Sequence, residues 1–139
     1  MFTEDFLLRQ IAQVAAVIAK VLGLSKAGKF QESYVMINQA IEELLGLNAG
    51  IAKNMDDASL VSLLTIGKST GCGKLLALAD LFKAEGDVLT VEKRDSESKS
   101  SYQRALNLYY EFSTHCSDNT ETDVLTKITE LQKKIIGNE

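Results

Sequence analysis

The residues most able to do chemistry fall in two places: the stretch Gly67-Lys68-Ser69-Thr70-Gly71-Cys72-Gly73-Lys74, and the neighbours His115 and Cys116. The first has the look of a phosphate-binding loop, G-x-x-x-x-G-K-[ST], in which glycines let backbone N–H groups reach the phosphates and the lysine and hydroxyl meet phosphate and magnesium. Taking Gly73-Lys74 as the G-K pair puts Lys68 where the first glycine belongs and Leu75 where the hydroxyl belongs. Taking Gly67-Lys68-Ser69 instead puts that first glycine at Ser62, inside an apolar run. Such a loop also follows a strand, whereas residues 60–66 read as helix. The stretch is read as a helix–helix connection, with Gly67 ending one helix and Ser69 or Thr70 near the start of the next. It keeps only the generic affinity of a helix N-terminus for anions.

His115 is the single histidine, and Cys72 and Cys116 are the only cysteines. Neighbours on a helix point about 100° apart, so His115 and Cys116 are no dyad. Folding could bring Cys72 to His115, but no third catalytic signature accompanies them. A structural zinc needs four Cys or His ligands, more than the chain owns. A di-iron bundle site needs Glu-x-x-His, and Phe112 stands three residues before His115. Glu42-Glu43 and Asp56-Asp57 suit a solvated helix face and a helix start. No cofactor, metal or catalytic activity is therefore expected, and the thiols are read as buried or idle in a reducing compartment.

The elements that must position these residues are helical. The 139 residues contain no proline, and alternating strand patterns do not persist. The length indicates one domain spanning 1–139. A net charge of −4 without a basic cluster argues against a nucleic-acid partner. Arg9, Gln10, Gln13 and Lys20 interrupt the apolar run from Phe6 to Leu24, a poor membrane span, and the acidic start MFTED does not look like a secretory leader. The expected location is cytoplasmic.

About six antiparallel helices are predicted, giving an all-α fold. The first is capped by Thr3, runs to about Ser25 and is apolar on nearly every side, as a central helix or one facing a second copy would be. Gly28 turns it into a helix over residues 30–45. Residues 46–54 read as a loop, and a third helix starts near Asp56 or Asp57. A fourth covers about 72–84 and closes at Gly86. Val88–Val91 then opens the next, with a break in the polar run around 94–97 and residues 92–101 of undecided order. The last starts at Thr120 with Asp123 and carries Val124, Ile128, Leu131 and Ile135 on one stripe.

Residues 75–112 resemble a tetratricopeptide-type helical hairpin. Leu78, Ala79 and Phe82 match its first helix, Gly86-Asp87 its turn, and Tyr102 and Ala105 its second helix, with seven extra residues between turn and second helix. Residues 14–45 repeat this more weakly through Gly28-Lys29-Phe30, Ile37 and Ala40, with Lys20 and Val21 departing from the pattern. The chain is also similar to small bacterial proteins of unknown function with this architecture. The resemblance implies a right-handed helical stack that binds a protein or peptide in a groove. Carried over by position, the groove holds Leu76, Asp80 and Lys83, with Gly73 and Ala84, in the better unit. The weaker unit supplies Ile18, Leu22 and Lys26, with Ala15 and Ser25. Asp80 and Lys83, three apart, are expected to pair with each other.

The leading expectation is thus a non-enzymatic interaction module, also able to form a homodimer through its apolar first helix. The alternative is a small-ligand-binding or regulatory protein with a pocket near Tyr109, Tyr110 and Phe112. A thiol enzyme using Cys72 or His115 comes last.

Overall fold

A computed structural model describes residues 4–65, 71–116 and 121–136. Seven helices account for nearly all of them, in the order α1 (Glu4–Lys26), α2 (Phe30–Leu45), α3 (Ala49–Asn54), α4 (Asp57–Thr65), α5 (Gly71–Val91), α6 (Asp95–His115) and α7 (Glu121–Ile136). No strand occurs among the described residues, so the protein is all-α. None of these helices is long and apolar enough to cross a membrane.

The helix count differs from the six expected because α3 occupies part of the anticipated loop. Its start is set by Asn48, whose side-chain oxygen accepts from Gly50 N at 2.8 Å and Ile51 N at 3.3 Å, satisfying donors that a helix start leaves free. Asp56 does the same for α4 by accepting from Ser59 N at 2.7 Å. Hydrogen bonds from the Ser59 side chain and then its backbone N–H hold the Asp56 carboxyl below the usual aspartate range.

The two long hairpins, α1–α2 and α5–α6, close with one motif. In the first, Lys29 N reaches Leu24 O and Gly28 N reaches Ser25 O, with Gly28 at φ 80°. In the second, Arg94 N reaches Leu89 O and Lys93 N reaches Thr90 O, with Lys93 at φ 66°. This 6→1 and 5→2 pairing is the Schellman ending, which needs one left-handed residue. The turn expected at Gly86-Asp87 is therefore corrected. Residues 88–91 are the last turn of α5 rather than the start of a new helix, and the polar run is ordered helix from Asp95 onward.

Gly86 has another task. A Cβ there would lie 2.5 Å from Tyr102 Cδ1, so the missing side chain is what lets the ring lie against α5. Around that contact Ser98, buried from solvent, donates to Gly86 O at 2.9 Å and sits 2.6 Å from Thr90 Oγ1.

The middle of the molecule is α5, which packs on α1, α2, α4 and α6. Leu75, Leu78, Ala79, Leu81 and Val88 are sealed from solvent, so most faces of α5 are buried. α6 adds Ala105, Leu108, Tyr109 and Phe112, while Val124, Ile128 and Leu131 set α7 into the same core. The central helix is thus α5 and not the first helix. Val14 and Val21 bury one side of α1, whereas Ala12, Ala15, Ala16 and Ala19 stay exposed. The Thr3 and Thr120 caps lie outside the described residues.

Candidate functional site

Between α1 and α7, with α5 as its floor, runs a groove enclosing about 290 Å³. Ala15, Ile18 and Leu22 form its α1 wall at helical spacing, and Ala84 adds an apolar floor. Asp80, Lys83 and Asp87 rise from α5, while Lys127 and Glu130 close the α7 side. Of the residues proposed from the sequence, Ala15, Ile18, Leu22, Asp80, Lys83 and Ala84 converge here. Leu76 lies one turn before Asp80 and packs half-buried against the core. Lys26 is exposed at the end of α1, and neither residue lines the groove. Ser25 is buried, and Gly73 lies beneath Ile11.

The charges pair differently from the expected Asp80–Lys83 contact. Asp80 Oδ1 accepts from Lys127 Nζ at 3.0 Å and from the Tyr109 hydroxyl. Lys83 pairs with Asp87 at 3.6 Å, one turn further along. Asp87 Oδ1 also accepts from Tyr102 Oη at 2.5 Å and Lys134 Nζ at 3.1 Å.

The same triad thus occurs twice, as Asp80–Tyr109–Lys127 and Asp87–Tyr102–Lys134. On each helix the corresponding residues are seven apart, two turns, which returns them to one face. In each triad the lysine also lies over the tyrosine ring, at 5.8 Å for Lys127 and 5.3 Å for Lys134. Burial pushes the Tyr109 hydroxyl well up from its ordinary value, and the Asp80 charge adds to that. Tyr102 is raised by burial and then by Asp87. Desolvation pulls Lys134 down, but the charge and hydrogen bond of Asp87 together with those of Tyr102 leave it raised.

Sequence reasoning missed Asp87, Lys127 and Glu130 as groove residues, because the carried-over pattern looks only at the first helix of each hairpin. The matched seven-residue spacing of Asp80/Asp87, Tyr102/Tyr109 and Lys127/Lys134 was the signal available. Tyr109, Tyr110 and Phe112, named for a small-ligand pocket, do not themselves line this groove. Tyr109 and Phe112 are core residues, and the half-exposed Tyr110 hydroxyl accepts from Gln132 on α7.

A second, polar cleft of about 400 Å³ opens between α2, α3, α5 and α6, with a side chamber of about 210 Å³. Lys53 and Glu85 stand between the two spaces. Lys53 Nζ donates to Glu85 Oε2 at 2.5 Å and to Asn38 Oδ1 at 2.7 Å, and Ser101 donates to Glu85 Oε1 at 3.0 Å.

The residues singled out for chemistry end elsewhere. Cys72 and Cys116 are joined by a disulfide with a Cα–Cα distance of 6.0 Å, within the range such bridges adopt. This corrects the reading of idle thiols and removes the free nucleophile that a Cys72–His115 dyad requires. His115 is exposed and faces Glu111, Nε2 to Oε1 at 3.0 Å. Gly71 to Lys74 form the first turn of α5, which α4 precedes where a phosphate loop would need a strand. Residues 66–70, which hold the rest of that stretch, lie outside the described residues. Among the described residues no cluster of three or more His, Cys, Asp or Glu could hold a metal. The chain matches no known family model, no curated protein and no solved structure.

Proposed function

We propose that this chain is a non-enzymatic interaction module that seats one amphipathic helix of a protein partner between α1 and α7. The observation that carries the reading is the groove's apolar α1 wall. Ala15, Ile18 and Leu22 line the cavity, and the apolar surface continues beyond it over exposed Ala12, Ala16 and Ala19. From Ala12 to Leu22 is about 15 Å along a helix, roughly three turns, the length a docked helix covers with i, i+3, i+4 and i+7 anchors. Alanines there let the visiting backbone come close. Around them Lys83, Lys127, Asp87 and Glu130 offer both signs of charge to the polar flanks of an amphipathic helix.

The tetratricopeptide-like reading belongs with this proposal, supported by the two antiparallel hairpins and by the presence of six carried-over residues in one groove. A homodimer is the special case in which the visiting helix is α1 of a second copy. The bridge between Cys72 and Cys116 weighs against the reducing compartment that accompanied the thiol reading, since disulfides persist in oxidising surroundings. Acid-quenched thiol trapping in the native host separates a cytoplasmic location from an oxidising one.

Ala15→Glu tests the groove, because Ala15 is exposed and its replacement places a charge on the apolar wall without touching the core. The wild type is expected to return a partner, or itself, from its native host, and the variant to lose it with helix content and Tm unchanged. A partner retained by Ala15→Glu removes the groove from the function. A wild type that recovers nothing and stays monomeric at every concentration removes the interaction reading altogether.

A further inference from the structure

We propose that the polar cleft between α2, α3, α5 and α6 is a second, independent binding site, for a small neutral polyhydroxylated ligand of sugar size. Its volume of about 400 Å³ falls within the span of small-molecule sites, and the side chamber extends it. Four elements contribute side chains that converge on one space: Tyr34 and Asn38 from α2, Lys53 from α3, Glu85 from α5, and Ser100 and Ser101 from α6.

The charge arrangement selects the ligand class. Glu85 is set deep, its side chain 12% exposed, and is already neutralised by Lys53. At the mouth Arg94 is held by Glu97 through Nε at 2.9 Å and Nη2 at 2.5 Å. In the side chamber Arg104 spends its guanidinium on the end of α3, with Nη1 on Lys53 O at 3.1 Å, and on Asp57, with Nε 3.3 Å from Oδ1. An anion entering the cleft meets Glu85 and Glu97, and a cation meets Lys53 and Arg94. Either would have to compete with the Lys53–Glu85 pair, the more buried of the two, where a lost partner costs most, while the exposed Arg94–Glu97 pair adds little.

A neutral ligand need break nothing, and hydrogen-bonding capacity is left for it. An ammonium has three donors, and Lys53 uses two on Glu85 and Asn38. The Asn38 amide accepts through Oδ1, which leaves its NH₂ donors to face a ligand, and the exposed Ser100 hydroxyl can both donate and accept. Each carboxylate oxygen of Glu85 carries one hydrogen bond and can accept a second. A run of ligand hydroxyls, each donor and acceptor at once, matches such an alternating set. Leu89 supplies the apolar side against which sugar C–H groups can lie, beside the Tyr34 ring, one face of which lies under the Arg94 guanidinium.

The test is a titration of the isotope-labelled protein with glucose, maltose and trehalose, followed by amide shifts, with inorganic phosphate and glycine as charged controls. Shifts are expected from the neutral sugars and should cluster at Asn38, Lys53, Glu85, Ser100 and Ser101. Ser100→Phe fills the cleft from an exposed helix position and is expected to weaken the response by roughly tenfold or more, with helix content unchanged. Asn38→Leu removes the opposite wall and should act in the same direction. Sugar-induced shifts that are absent, that cluster elsewhere or that survive both variants overturn the proposal. A stronger response of the same amides to phosphate or glycine overturns the ligand class. Because the groove between α1 and α7 is untouched by these variants, the outcome is separate from that of Ala15→Glu.

Discussion

At the scale of single residues, Gly86 and Lys93 reverse the usual reading of a sequence. Glycine inside a helix is less favourable than alanine by about 1 kcal/mol, so propensity alone says that Gly86→Ala stabilises α5. The structure says the opposite, because the new methyl would lie 2.5 Å from the Tyr102 ring, and overpacking of that kind costs about 1–3 kcal/mol. Gly86→Ala is expected to lower the urea midpoint, and a midpoint that rises would mean the ring moves aside freely. Lys93 is the mirror case, a lysine at φ 66° in the position that Gly28 fills in the first hairpin. Lys93→Gly should raise stability by up to about 1 kcal/mol by relieving the left-handed strain of a Cβ. Equilibrium denaturation reads it directly, and a destabilised variant would mean that the lysine makes contacts worth more than the strain. These two positions also explain what the sequence concealed. A glycine that serves a close approach looks like a turn, and a turn built on lysine looks like nothing.

At the scale of elements, the boundaries of α2 were legible because a glycine marks each end. Gly28 precedes it, and Gly46, at φ 72°, follows it. α3 was not legible because its six residues lie in a run rich in glycine and asparagine, where only the Asn48 cap reveals a helix. The attachment of α7 was half legible. Its apolar stripe announced a packed face, but nothing in that stripe marked Lys127 and Lys134 as members of the two Asp–Tyr–Lys triads. Those triads fix how the element responds to alkali. Tyr109 and Tyr102 are both raised from an ordinary value of 10.0, and Lys134 is raised from 10.5. A group whose folded pKa is raised adds stability that is complete below its unfolded value and lost as pH climbs towards the folded one. Unfolded tyrosines release protons above pH 10.0 that the folded chain retains, so the unfolded state gains with rising pH. Stability is therefore expected to fall above that pH, with tyrosinate absorbance appearing together with loss of helical signal. Tyr109→Phe should move the alkaline midpoint upward relative to a neutral-pH reference. An unmoved midpoint, or tyrosinate forming in an intact fold, would show that the triads do not govern this transition.

At the scale of the whole molecule, the α5–α6 hairpin is closed at both ends. The Lys93 turn joins one pair of ends, and the Cys72–Cys116 bridge joins the start of α5 to the residue after α6. No local pattern announces that bridge, because its cysteines stand 44 residues apart and meet only after two long helices have run out and back. The α1–α2 hairpin, α4 and α7 all lean on this central pair through the buried faces of α5 and α6, so what pins the pair pins the molecule. The groove and the polar cleft use different sides of α5, one through Asp80 and Asp87 and the other through Glu85. A loosened hairpin would therefore disturb both sites at once. Closing a loop of 44 residues removes unfolded-state entropy corresponding to about 4 kcal/mol in the chain-entropy model, and measured bridges more often give about 2–4 kcal/mol. The Cys72→Ala/Cys116→Ala protein is expected to unfold at lower urea by an amount in that range, and reduction of the wild type should bring it to a similar midpoint. Because the constraint acts mainly on the unfolded chain, helix content at low urea should be nearly unchanged. Equal midpoints with and without reductant, in protein shown by mass to carry the bridge, would remove the pinned hairpin from the account of stability. The groove and cleft would then owe their shape to helix packing alone.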